Sequence, residues 1–410
     1  MEVAAAVPDR LELIEGQPLG EQLWLLLLGG EGKRFVAPTV DDGVAVRRAV
    51  AGDGAAEALI AMLAQARPSD GSSLLWRRFD AAVEATGETA LLVDQTHESV
   101  VVGDRAVVKW MVRAEETPAP KLIAHLAANA FSQMPQPWGF VSWVGGDGAI
   151  ALAFVTEFLP GASDGWAWCV QDVGSFAKGE MELAAALRPA AHMGELIAHL
   201  HVALSTSSDV FVDPVEQATQ TEIDRWLTRA RLLLQEAVES VAIDAGPHLR
   251  DRRDQIDAAL CGMNVVDQTP MMPIHGDLHV GQILRWSGGY AINDFDGNPV
   301  LPSVERSLPQ SPARDVAGML QSLDHVGRVV MRRVVGADPA ITVEWIAQAQ
   351  REFLSSYTSR LAESEREHLL DQRLLLPFRV EQELREFLYA ERHMPRWRYV
   401  PDGAIRSMFP

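Results

Sequence analysis

The residues with the most chemical content are Ile274-His275-Gly276-Asp277-Leu278-His279-Val280-Gly281-Gln282, followed twelve residues after Gln282 by Asp294-Phe295-Asp296. A carboxylate, a carboxamide five residues later and a second carboxylate beyond a short hairpin can take a proton from an attacking hydroxyl and hold a divalent cation against a phosphate. In such a site Asp277 is the base, and Gln282 and Asp294 are the metal ligands for Mg2+. Ile283-Leu284-Arg285-Trp286 and Tyr290-Ala291-Ile292-Asn293 read as two strands around Ser287-Gly288-Gly289. A fold at Gly288 sets Gln282 opposite Asp294, so that both ligands meet at the hairpin mouth.

Other chemistry fits some of these residues. His275, Asp277 and His279 alternate, and on a strand they would offer three ligands to zinc or iron. No further cluster of comparable spacing completes such a shell. A plain polar turn before a buried hairpin explains each piece but not their joint spacing. The order matches the phosphoryl-transfer pattern H-R-D-x-x-x-x-N followed by D-F-G. There His275 orients the loop through hydrogen bonds, and His279 is an ordinary polar loop residue.

Phosphoryl transfer also needs a nucleotide site for ATP. Lys109 ends the apolar strand Ala106-Val107-Val108-Lys109, the context of the lysine that pairs with the α- and β-phosphates. The turn before it, Asp94-Gln95-Thr96-His97-Glu98-Ser99, lies where a phosphate-binding loop belongs but has no glycine. Its backbone amides and the Ser99 hydroxyl are then the phosphate contacts. Thr156-Glu157-Phe158-Leu159 reads as the hinge, with backbone groups of Glu157 and Phe158 set against adenine.

The elements that must carry these residues divide the chain. A 410-residue chain exceeds the size at which one core stops growing. Residues 1–85 read as a small α+β cap module, 86–161 as a sheet with a helix near Lys121 to Ala130, and 162–410 as mainly helical. Asp213-Pro214 opens a long amphipathic segment with Ile223, Trp226, Leu227, Ala230, Leu233 and Leu234 on one face. Pro299 to Pro312 reads as an irregular loop.

Composition narrows the partners. With 36 Lys+Arg against 56 Asp+Glu, the net charge of −20 repels nucleic acid and anionic membranes. Cys169 and Cys261 suggest no disulfide framework, and Met1 to Val7 lacks the features of a signal peptide. The expectation is a cytoplasmic protein with small-molecule substrates, a monomer or else a dimer.

Five segments, in this order, resemble the bacterial maltokinases and the related actinobacterial glucosamine kinases. They are Asp94 to Asp104 with Lys109, Pro160 to Trp166, the catalytic hairpin, Arg314-Asp315-Val316-Ala317-Gly318-Met319-Leu320, and Pro395-Arg396-Trp397-Arg398-Tyr399-Val400-Pro401. The resemblance implies an α+β, bilobal, protein-kinase-like fold of the aminoglycoside-phosphotransferase type. It has a sheet-rich N-lobe with an N-terminal cap subdomain and a helical C-lobe, and Arg314 and Asp315 support the site. The glutamate that would pair with Lys109 is matched by Lys121, which leaves Glu115 or Glu116 as substitutes.

Where maltokinases carry a Glu-Lys pair, this chain has Glu381-Gln382. Gln382, Glu386, Tyr389 and His393 share one helix face, with Trp397 just beyond. Carboxylate, amide and aromatic groups together suit a sugar, and an acidic pocket suits an ammonium-bearing one. Asp277, Asp296, Gln382, Glu386, Tyr389 and Trp397 are the expected sugar contacts, with Asp296 or Glu383 as alternative readers of the amine. The resemblance implies phosphorylation of glucosamine at its 6-hydroxyl. The alternatives are a maltokinase, an aminoglycoside phosphotransferase and a nucleotide-binding pseudokinase scaffold.

Overall fold

The computed structural model describes residues 10–65, 73–79, 84–91, 97–145, 148–241, 246–265 and 268–410. Half of the turn expected to face phosphate, Asp94 to Thr96, lies outside them. The chain forms two compact units, one of residues 1–127, 134–161 and 300–307, the other of 128–133, 162–299 and 308–410.

The first unit holds two antiparallel sheets. The four-stranded sheet runs β1 (Glu12–Pro18), β2 (Leu23–Gly30), β3 (Lys33–Asp41) and β4 (Val46–Arg48). The six-stranded sheet contains β5 (Leu74–Arg78), β6 (Glu88–Ala90), β7 (Glu98–Val102), β8 (Ala106–Trp110), β9 (Pro137–Gly145) and β10 (Gly148–Glu157), in the order β5-β9-β10-β8-β7-β6. Strand alternation sends Leu25 and Leu27 of β2 inward. There they join Leu59 and Leu63 of α1 (Ala55–Gln65) and Val100, Val108, Val141 and Val155 of the larger sheet in one core. Pairing sets Ser99 of β7 beside Lys109 of β8, and Lys109 beside Phe154 of β10.

After β8 comes α2 (Ala119–Ala128), whose first turn exposes Lys121. Glu115, a substitute partner considered for Lys109, pairs instead with Arg306 at 3.4 Å. Arg306 closes a short helix inside the Pro-rich segment, so that segment is not wholly irregular.

The second unit is built on helices: α3 (Gly165–Ala177), α4 (Leu183–Leu204), α5 (Gln220–Ser240), α6 (Pro247–Asp251) and α7 (Arg253–Cys261) come before the hairpin of residues 283–292. The short helix Ser303–Arg306 is α8 and belongs to the first unit, and α9 (Ala313–Arg333), α10 (Pro339–Glu363), α11 (Leu375–His393) and α12 (Tyr399–Met408) complete the second. Helix α5 begins at Gln220 rather than Asp213. Thr219 and Glu222 form a reciprocal capping box there, and the preceding residues pair as a two-residue strand with Pro270–Met271. Among the described residues no helix is long and apolar enough to cross a membrane.

Helix α9 is the spine of this unit. Its apolar residues Val316, Ala317, Met319, Leu320, Leu323 and Val326 occupy more than one face, so the helix is buried nearly all round. The polar residues between them, Asp315, Gln321, Ser322, Asp324 and His325, are buried too. Each must find a partner.

Candidate active site

The loop carrying Asp277 hangs from α9. Asp315 accepts the backbone N–H of His275 at 2.9 Å and that of Gly276 at 3.0 Å, one on each carboxylate oxygen. Gly276 needs its φ of +83° for this turn. Burial works to raise the Asp315 pKa, but hydrogen bonding and charge from His201, with His275 and the Gly276 N–H, outweigh it and hold the carboxyl below its ordinary value. His201 in turn meets the Tyr357 hydroxyl at 2.7 Å.

His275 stitches this loop to the second carboxylate segment. Its Nε2 donates to the Asn293 carbonyl at 3.0 Å, while Nδ1 lies 3.4 Å from the Asp277 N–H. Its ring centroid lies 5.2 Å from that of Phe295. Farther along, Ser322 accepts the Val280 N–H at 2.8 Å, and α3 approaches so closely that a Cβ on Gly165 would fall on the Val280 carbonyl.

The hairpin corrects the expected register. Its strands are Ile283–Trp286 and Gly289–Ile292, joined by the two-residue turn Ser287-Gly288 with Gly289 at φ +119°. The turn centre therefore lies between Ser287 and Gly288. Gln282 faces Asn293, whose N–H it accepts at 2.9 Å, and Asp294 follows one residue later. Asp294 sits at φ +65°, a conformation that costs a non-glycine residue energy and is found at sites held for function. The Gln282 side chain lies beside His279, nitrogen to nitrogen at 3.4 Å.

Asp277 is half-buried, with protein on most sides. Desolvation pushes its carboxyl up to about 7, with His275 and Arg385 lowering it and Asp294 and Glu386 raising it. Those influences place the tail helix in electrostatic range of the loop, as the expected sugar stripe requires.

On α11 the stripe is bound together. Glu386 accepts the Gln382 amide at 3.1 Å on one oxygen and the Trp397 indole N–H at 3.0 Å on the other. Trp397 also packs against Trp166, with ring centroids 5.6 Å apart, and edge-on against His325 at 6.1 Å. Tyr389 packs on His393 instead, at 5.3 Å. Asp296 lies in the turn after Asp294, half-buried.

Glu381 and Glu383 point elsewhere. Glu381 is fully buried and bound by Arg314 at 2.9 Å, with Arg229 at 3.9 Å. Glu383, also fully buried, accepts His325 Nε2 at 2.7 Å and the Gln321 amide. Burial opposes charge on His325, but Glu383 foremost, with Glu386 and Asp324, raises its pKa to about 9. His325, Gln321 and Ser322 are residues bonded to the candidate site's surroundings that sequence reasoning missed. Their signal was a polar run inside a helix whose apolar residues leave it no solvent face.

Lys109, Ser99, Glu157 and Phe158 belong to the first unit, Lys109 half-buried and Ser99 buried. The Glu157 N–H is taken by the Gln136 carbonyl and the Phe158 N–H by that of Arg105, both at 2.8 Å. Adenine pairing through these two residues would therefore fall to their carbonyl groups. Among the described residues no group of three or more His, Cys, Asp or Glu is placed to hold a metal ion. Asp294 and Gln282 offer a carboxylate and a carboxamide, the oxygen donors suited to magnesium, which keeps further positions for water and phosphate.

No family model matches the chain. The glucosamine kinase of Streptacidiphilus jiangxiensis is 43% identical over 419 residues, covering 100% of this chain and 93% of that protein. That of Mycolicibacterium smegmatis is 38% identical over 397 residues, covering 93% and 96%. A solved glucosamine kinase in complex with glucosamine, ADP and inorganic phosphate superimposes with a TM-score of 0.87 at 42% identity, covering 99% of this chain and 95% of that one. A second crystal form gives 0.89. The fold is the kinase-like one, with a sheet-rich N-terminal part and a helical C-terminal part. The chain is an enzyme that belongs to the glucosamine kinase family.

Proposed function

We propose that the protein transfers the γ-phosphoryl group of ATP to the 6-hydroxyl of glucosamine. The observation that carries this reading is the convergence, within one unit, of Asp277 with a tail-helix carboxylate, Glu386, held by Gln382 and Trp397. Asp277 orients the hydroxyl and takes its proton, and a carboxyl near 7 is matched to that task at neutral pH. Gln282 and Asp294 hold Mg2+, which when bound neutralises phosphate charge. Lys109 and Ser99 face the nucleotide phosphates, and Glu157 and Phe158 the adenine.

Glu386 reads the sugar ammonium. Gln382 and Trp397 fix its two oxygens, and Trp397 offers an aromatic face to the ring. Tyr389 and Asp296 complete the sugar contacts. His275, Asp315 and Arg314 support the loop. The protein acts in the cytoplasm on these small molecules.

Phosphorylation assays with glucosamine, glucose, maltose, N-acetylglucosamine and an aminoglycoside test the reading, with the product's phosphate position assigned by NMR. Glucosamine is expected to give the highest kcat/KM and a 6-phosphate. Preference for maltose, or a product phosphorylated elsewhere, would overturn it.

A further inference from the structure

A second feature of α11 lies outside the roles given above. The Arg385 side chain makes no hydrogen bond or ion pair with any described residue, and its Nε is buried without a partner. The residue as a whole keeps partial exposure, so its terminal nitrogens are the part that reaches open space. Withdrawing a guanidinium from water without an acceptor is costly, and such a group is retained where an anion arrives to meet it. Burial lowers the Arg385 pKa, in keeping with that cost, although a guanidinium stays protonated throughout the working range.

Its surroundings point the same way. Arg229, Arg314 and Arg385 surround the one carboxylate of Glu381, which leaves a surplus of positive charge in a chain of net charge −20. Arg314 bonds Glu381 and is followed by Asp315, which holds the His275 and Gly276 N–H groups. Arg385 lies one helical turn beyond Glu381 on the same face. Arg385 is also within electrostatic range of Asp277, and the two residues bias each other's charge.

The chemistry needs a cation there. The segment Asp277 to Gln282 contains no Lys or Arg, while Asp277, Asp294 and Glu386 are all acidic. Apart from the Mg2+ proposed at Gln282 and Asp294, an incoming phosphoryl group, carrying negative charge on three oxygens, would meet acidic side chains at this end of the site.

We infer that Arg385 is a catalytic residue whose guanidinium binds the oxygens of the phosphoryl group as it passes to the sugar. The inference rests on the kinase reading above. In the step, the sugar hydroxyl oxygen forms a bond to the γ-phosphorus as the bond from phosphorus to the β,γ-bridging oxygen breaks. The electron pair of that bond leaves with ADP, and the hydroxyl proton goes to Asp277. Arg385 stays protonated and meets the charge on the three non-bridging oxygens.

The test compares wild type, Arg385→Gln, Arg385→Lys and Arg385→Ala, each checked for folding by circular dichroism and thermal melting. Loss of one preorganised donor to a transition-state oxyanion lowers kcat by about 10²–10³-fold, so Arg385→Gln should fall by that factor while KM for ATP and glucosamine stays within about threefold. Added guanidine should restore part of the Arg385→Ala rate. ADP with aluminium fluoride, magnesium and glucosamine should raise the melting temperature of wild type beyond ADP and glucosamine alone, and this extra rise should vanish in Arg385→Gln.

Wild-type turnover of glucosamine is measured first, and its absence overturns the kinase reading and the role of Arg385 with it. Wild-type turnover together with an undiminished kcat in Arg385→Gln overturns Arg385 alone. So does a loss shared by kcat, KM and melting temperature without guanidine rescue, which marks a structural residue.

Discussion

Asp277 and Glu386 belong to regions held in opposite ways. The loop around Asp277 is hung by its backbone: one buried carboxylate, Asp315, takes two consecutive N–H groups, and His275 ties the loop to Asn293. Glu386 is hung by its side chain, from the Gln382 amide and the Trp397 indole. Backbone anchoring makes the position of Asp277 independent of most side chains near it. Side-chain anchoring lets a few substitutions reshape what the tail accepts. The first region suits chemistry common to many substrates and the second suits selectivity.

The largest expected effect tests the first half of that contrast. Asp277→Asn keeps the loop's backbone bonds but removes the base, so turnover should fall by about 10²-fold or more while ATP binding persists. Single-turnover kinetics and nucleotide calorimetry on the same protein separate the two. Near-normal turnover in a folded variant would sink the assignment. Asp315→Asn should come next, because its amide can accept only one of the two N–H groups well. Weakening hydrogen bonds to a buried charged acceptor should cost roughly 1.5–3 kcal/mol of stability, with a smaller fall in kcat than at Asp277. An unchanged denaturation midpoint would contradict the backbone-anchoring account.

Legibility in the sequence follows the same division. Asp277, Gln282 and Asp294 stand out in the sequence because phosphoryl transfer calls for set residue types at fixed spacing along a single loop and hairpin, and the roles proposed for them rest on that spacing. The turn centre was misplaced by half a residue, since Ser287-Gly288-Gly289 permits either a two-residue turn or one centred on Gly288, and only cross-strand pairing decides. The Gln382, Glu386, Tyr389 and His393 stripe was readable from helical periodicity. That Tyr389 packs on His393 while Trp397 turns back to Glu386 was not, because the direction of the chain after His393 depends on tertiary contacts. The buried partners His325 and Glu383 come from helices nearly sixty residues apart, and no local pattern pairs them.

Selectivity should break at Glu386. A carboxylate meeting an ammonium makes a charge-assisted hydrogen bond worth roughly 1.5–3 kcal/mol, so wild type should favour glucosamine over glucose by about tenfold or more in kcat/KM. Glu386→Gln should erase most of that preference while leaving glucose turnover nearly unchanged. Equal values in wild type would remove the amine from the argument. Unchanged discrimination in the variant would transfer the role to Asp296, because Glu383 is fully buried against His325 and Gln321.

A pH effect sharpens the account of how the tail is supported. His325 has its pKa raised from 6.5 to about 9, and Glu383 beside it is also raised, by burial first. In both cases the folded protein binds the proton more tightly than the unfolded chain. Stability that is present in full below pH 6.5 from His325 should therefore decline as pH rises toward 9. Urea denaturation at several pH values in this window reads the decline, and His325→Gln should flatten it. A stability that rises from pH 6.5 to 9 in wild type but not in His325→Gln would contradict a raised His325.

The smallest change asked of the tail is Trp397→Phe. A phenyl ring can still pack on Trp166 and edge-on to His325, so the aromatic contacts persist. What disappears is the indole N–H that holds one Glu386 oxygen, while Gln382 continues to hold the other. Loss of one hydrogen bond to a partly exposed carboxylate costs on the order of 1 kcal/mol, so KM for glucosamine should rise about fivefold with kcat little changed. Glucose, which offers no ammonium to Glu386, should be affected less. If both sugars suffered equally, Trp397 would act on the sugar ring alone and its hydrogen bond would be incidental. If Trp397→Phe instead matched Glu386→Gln in lost discrimination, the carboxylate would depend on that single donor for its position, and Gln382 would contribute little to holding it.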